Sequence, residues 1–104
     1  MIAALRTLAV LEAPSEAETV FGGRTRGWTQ VAALWIDLRP RGHREFTEGG
    51  RRQLVETAEA EARPLAGAAR GCRLKAGGEA WRIVAARPSR TRGRMTLDLE
   101  RSWP

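Results

Sequence analysis

The sequence predicts a mainly β fold, a small antiparallel barrel or sandwich of about six strands in one domain spanning residues 1–104. Three observations predict it. Apolar residues recur at every second position in two stretches, Ala32–Leu38 and Met95–Leu99, the period of a strand with one buried face. Turn residues punctuate the chain at short intervals, at Pro14, Gly22-Gly23, Pro40, Gly49-Gly50, Gly77-Gly78 and Gly93, as in a β-meander. A chain of 104 residues can also build only one modest core, hiding about two-thirds of its surface.

Taken in order, Leu5 to Leu11 is apolar and reads as a first strand ending at Glu12-Ala13-Pro14. Ser15 to Arg26 is polar, contains Gly22-Gly23, and reads as a long loop. Trp28 to Arg39 is the strongest strand. Trp28, Ala32, Leu34, Ile36 and Leu38 fall on one side, Val31 and Trp35 on the other. Trp28 and Trp35 then occupy opposite faces, one able to fill the core and the other free for a neighbouring subunit. Pro40, which lacks a backbone donor, ends this strand. Arg41 to Gly50 reads as a charged loop with one short helical turn over Arg44 to Glu48.

Arg51 to Arg63 carries two signals. Ala58-Glu59-Ala60-Glu61-Ala62 has high helix propensity. Yet Leu54, Ala58, Ala60 and Ala62 alternate with Gln53, Thr57, Glu59 and Glu61, which suits a half-buried strand. Pro64 and Gly67 end the element in both readings. The last third is a short strand at Gly71–Lys75, a Gly77-Gly78 hairpin, a strand at Ala80–Ala85, a basic turn at Arg87–Gly93 and an amphipathic strand through Met95, Leu97 and Leu99.

Composition excludes several function classes. The one cysteine, Cys72, can form no internal disulfide and no multi-thiolate metal site. The one histidine, His43, sits in Arg41-Gly42-His43-Arg44, a crowd of positive charge that suits an exposed loop better than a general base. Gly22-Gly23 and Gly77-Gly78 lack the flanks of a phosphate-binding loop. Glu59 and Glu61, two apart, share the outer face of a strand rather than form a catalytic pair. No cofactor or metal is expected, and no catalysis. No apolar run spans a membrane, and Met1–Arg6 has no basic lead-in, so a soluble protein made in the cytoplasm is expected.

The net charge is +6, and Lys75 is the single lysine among 18 basic residues. Excess base suggests a nearby polyanion, although a GC-rich codon bias alone accounts for arginine over lysine. Arg87, Arg90, Arg92 and Arg94 lie within eight residues with no acid between them, so a hairpin tip could track phosphates without reading bases. The alternative is a turn kept soluble by charge. Four tryptophans exceed what a small core needs, which makes Trp28, Trp35 and Trp103 candidates for subunit contacts.

In order and spacing, the chain resembles the phage head–tail joining proteins, also called head–tail adaptor, head-closure or stopper proteins. The resemblance runs from about Leu5 to Arg101. It rests on Glu12-Ala13-Pro14, Gly22-Gly23 before Trp28, the apolar run Trp35–Arg39 into Pro40-Arg41-Gly42, Arg73-Leu74-Lys75 before a Gly-Gly hairpin, Trp81-Arg82-Ile83-Val84, and Leu97-Asp98-Leu99-Glu100-Arg101. The short, alanine-rich form is most similar to versions carried by prophages and gene transfer agents. Ala58–Ala62 departs from the β-branched, arginine-containing strand usual there. The resemblance implies a small β-barrel with one short helix and favours strand over helix at Arg51–Arg63. It implies a homo-oligomeric ring of six or twelve copies in a phage-like particle assembled in the bacterial cytoplasm. The ring would lie between portal or adaptor proteins and tail terminator or tail-tube proteins, around double-stranded DNA bound without sequence specificity. Two segments become candidates for the DNA channel: Arg39–Gly50, with Arg39, Arg41 and Arg44, and Arg87–Arg94, with Arg87, Arg90, Arg92 and Arg94. The rival reading is a stand-alone nucleic-acid-binding barrel of OB or SH3-like type.

Overall fold

A computed structural model describes residues 5–18 and 20–103. They form six antiparallel strands: β1 (Thr7–Glu18), β2 (Arg24–Glu48), β3 (Arg51–Ala62), β4 (Arg73–Ala76), β5 (Glu79–Pro88) and β6 (Met95–Trp103). The strand order β1-β2-β3-β6-β5-β4 closes on itself, β4 pairing back onto β1 from Ala9↔Ala76 to Glu12↔Arg73. No helix occurs among the described residues. The helical turn expected at Arg44–Glu48 is instead the end of β2, paired residue by residue with β3 from Arg44↔Val55 to Glu48↔Arg51.

The strands outrun the boundaries that proline suggests. β1 continues through Pro14 to Glu18, and β2 through Pro40 to Glu48, so the expected loops at Ser15–Arg26 and Arg41–Gly50 are largely strand. Both prolines sit where the strand has lost its second neighbour. β4 leaves β1 at Glu12, and β1 leaves β2 at Ile36, so Pro14 and Pro40 each face a free edge where no donor is needed. Pro40 also borders a register shift against β3. Two ribbons result, β1–β2 beyond Glu12 and β2–β3 beyond Glu45.

The core lies inside the barrel. Leu11, Ile36, Leu74, Ile83, Leu97 and Leu99 are fully or almost fully buried, with Ala58, Ala60 and Ala62 supplied by β3. Those three alanines resolve the helix-or-strand tie at Arg51–Arg63 as strand. Each faces inward and is flanked in register by β2 and β6, for example Leu38↔Ala60↔Leu97. Intrinsic helix preference, a few tenths of a kcal/mol per residue, is outweighed by two full ladders of backbone hydrogen bonds and a buried face.

Among the described tryptophan side chains, Trp81, 2% exposed, is the one that fills the core. Its ring lies 5.0 Å from the Arg101 guanidinium carbon, and its buried Nε1 has no hydrogen-bond partner among the described residues. Trp28 does not enter the core. The register shifts at Leu11/Glu12, where Leu11 pairs Ala32 but Glu12 pairs Gln30. The extra residue, Val31, reverses the facing of everything before it. Trp28 therefore joins Trp35 on the outer surface, 41% and 55% exposed.

Candidate functional site

The sheet face formed by β2, β3, β6 and β5 carries a ladder of charges that follows from register. Rows Arg39↔Glu59↔Asp98 and Thr57↔Glu100↔Arg82 place acids on β3 and β6 between arginines on β2 and β5. Arg87 on β5 donates to Asp98 at 3.2 Å and 3.3 Å and to Glu59 at 2.5 Å. Arg41 also pairs with Glu59. Glu100 accepts from both Arg44 and Arg82, each at 2.9 Å. Arg39 donates to Asp37, with contacts at 2.8 Å and 2.9 Å. The hydrogen bond to Asp98, with that to Glu59, raises the Arg87 pKa further above its already high value.

A shallow depression of about 400 Å³ opens on this face, lined by Arg39, Arg41, Arg87 and Arg90 together with Asp37, Glu59 and Glu61. The fold thus brings together four of the seven expected channel arginines: Arg39, Arg41 and Arg87 are ion-paired with Asp37, Glu59 or Asp98, and Arg90 has no ion pair among the described residues. Arg44 lies farther along the sheet with Glu100. Sequence reasoning missed Asp98 and Glu100 as partners, and placed Glu59 on an outer strand face without assigning it one. The signal that could find them is cross-strand register, which needs the strand pairing.

The turn between β5 and β6 is built differently. Ser89 N donates to Arg94 O at 3.0 Å, and Arg94 N to Thr91 O at 3.2 Å. Ser89 Oγ donates to Glu61 at 2.9 Å and accepts from Thr91 N at 3.1 Å. Gly93 takes φ 77°, which only glycine adopts without strain. Burial pushes the Glu61 carboxyl up. Hydrogen bonds from Ser89 and Thr91 and the fields of Arg94 and Arg39 outweigh this, holding its pKa below the ordinary value. Arg94 is half-buried against this network. Arg90 and Arg92 are exposed and have no ion pair among the described residues. This turn and the Glu48–Arg51 tip lie at opposite ends of their strands, because successive turns of an antiparallel meander alternate.

The remaining candidates fall as follows. His43 is exposed on β2, opposite Glu56. Trp28 lies under Arg73, whose guanidinium carbon is 4.3 Å from the ring centre and whose Nε donates to Glu12 at 2.6 Å. Trp35 stands directly opposite Leu8, and both are more than half exposed. Trp103 has its backbone in β6 opposite Leu54, while its side chain lies outside the described residues. Among the described residues no three His, Cys, Asp or Glu side chains converge as a metal site.

Comparison with known proteins agrees with this architecture. A solved structure titled "Virion of native gene transfer agent (GTA) particle" contains a chain of the same fold. It superposes with a TM-score of 0.75 at 17% identity, covering 98% of each chain. A search of curated proteins finds no match. The family model described as phage head completion protein matches residues 1–100. The chain belongs to the phage head completion protein family and is a structural component of a phage-like particle.

Proposed function

We propose that the chain is a non-catalytic head–tail connector subunit of the stopper or head-closure type. Copies form a ring between portal or adaptor and tail, and the β5–β6 turn of each copy faces the packaged DNA. One observation carries the assignment of the turn. Of the seven candidate arginines, Arg39, Arg41, Arg44 and Arg87 are ion-paired and Arg94 is half-buried. Arg90 and Arg92 are exposed without an ion pair among the described residues, on a turn whose backbone is pinned by Ser89. Arginine already neutralised by a carboxylate adds little to the counterion release that drives phosphate binding. Two free guanidinium groups per copy, repeated around a ring, would give a sequence-independent collar for DNA.

The test is an Arg90→Glu/Arg92→Glu variant in assembled particles, with Arg51→Glu/Arg52→Glu at the opposite end as control. The expected result is DNA loss from particles carrying the first variant only, with circular dichroism of the isolated chain unchanged. Particles that keep their DNA would refute the assignment. An isolated wild-type monomer that binds DNA tightly, with steep salt dependence, would instead favour a stand-alone nucleic-acid-binding role.

A further inference from the structure

The β1–β2 ribbon ends in Val20 and Phe21, which are 96% and 98% exposed. A bare phenylalanine at a hairpin tip is costly in water and contributes nothing to this chain's core. The ribbon is also poorly supported. Beyond Glu12 it is two strands with both outer edges unpaired, a structure that is marginal by itself. Glu16 bridges Arg24 and Arg26 on the facing strand, which helps to hold the pair together without anchoring it to the barrel.

A second apolar feature lies at the other end of the same two strands. Ala33 and Trp35 on β2, with Pro64 and Leu65 of the β3–β4 connection, line a groove of about 400 Å³. Exposed Leu8 stands directly opposite Trp35 on the neighbouring strand. Arg63 also lines the groove and has no ion pair among the described residues. A guanidinium so placed is suited to the face of an aromatic ring.

We infer that the Val20-Phe21 tip of one copy inserts into the Ala33–Trp35–Leu65 groove of the next. This rests on the ring reading above and names the contact that makes the ring. The tip cannot fill its own groove. Trp35 and Arg24 are separated along one continuous strand by about 36 Å at 3.3 Å per residue, and the ladder between them is interrupted only by the one-residue bulge at Val31. An extended ribbon cannot fold back on itself, so the occupant comes from another copy. Tip and groove are different surfaces, so the contact is head-to-tail, the type that closes into rings when the rotation permits. The groove has room for one aromatic and one branched side chain, and Phe21 would lie against the unpaired Arg63.

The experiment mixes two single variants, Val20→Cys, which keeps Phe21 at the tip, and Ala33→Cys, and oxidises them under conditions in which the wild-type chain assembles. The native thiol, Cys72, is buried and serves as background in all samples. The expected product is a disulfide-linked heterodimer in the mixture and none in either variant alone. In parallel, Val20→Ser/Phe21→Ser should raise the concentration for half-assembly at least tenfold, the loss of one buried aromatic contact, with the monomer's unfolding curve unchanged. Rings that form without the crosslink, or with the serine variant at wild-type concentration, overturn this docking and leave the ring reading intact. A wild-type chain that forms no ring even on portal complexes overturns the ring reading and the docking with it.

Discussion

Substitution of Ala60 by leucine tests whether the barrel interior dictates the alanines of β3. Ala60 has no solvent exposure and lies in register between Leu38 on β2 and Leu97 on β6, the latter also fully buried. Leucine adds three carbons to a row that already holds two leucines. Their burial would be worth about 2 kcal/mol if space existed. In a closed barrel the neighbours cannot retreat without breaking ladders on both sides, so the overpacking cost of about 1–3 kcal/mol applies on top of the forfeited gain. We expect a net loss of about 2 kcal/mol. In urea, with a slope of about 1–1.5 kcal/mol/M for a small domain, the midpoint should fall by roughly 1.5 M. Ala80→Leu, at an exposed position on β5, should stay within about 0.5 kcal/mol of wild type. An Ala60→Leu chain with an unchanged or higher midpoint would refute the reasoning, because the interior would then have room and the alanines would need another cause.

Other outcomes follow from the turn and its network. In solution, Arg90→Glu/Arg92→Glu should reduce the log–log salt slope of DNA binding by about two per subunit, whereas Arg41→Gln, at a residue already paired with Glu59, should leave it nearly unchanged. Ser89→Ala removes one side-chain bond to Glu61 and one from Thr91, so it should cost about 1 kcal/mol and speed hydrogen exchange at the Thr91 amide. Glu61 has a depressed folded pKa, so its contribution is complete above the ordinary value of 4.5 and is lost as pH falls through the lower folded value. Glu61→Gln should therefore be less stable than wild type at pH 7, with the gap closing on acidification. A gap independent of pH would count against this account.

Which parts of the fold were legible follows from how many neighbours each strand has. Met95, Leu97 and Leu99 alternate cleanly because β6 has partners on both sides and one buried face. Gly77-Gly78 is legible because both residues take positive φ in a two-residue turn. Pro14 and Pro40 misled because proline excludes a strand only where a neighbour demands its N–H. Whether a neighbour is there depends on where β4 and β1 stop, which no local pattern records. Trp28 misled for a related reason, since period two carries a side chain's facing only as far as the next bulge.

The candidate arginines were legible as a set and illegible as individuals. Charge counting in a window of eight residues treats Arg87 and Arg90 alike. Strand pairing separates them, because Asp98 and Glu59 approach Arg87 from two other strands, while Arg90 lies past the last paired row, Pro88↔Met95. The same pairing gives the net charge of +6 a more specific meaning. Along the outer face, acids and arginines largely cancel, so the field available to a polyanion comes from residues that leave the sheet. On that logic, placing an acid where a strand row ends, as in Thr91→Glu beside Arg90, should weaken DNA retention more than removing Arg44 from the middle of the ladder. Equal effects would mean that the whole sheet face, rather than the turn, meets the DNA.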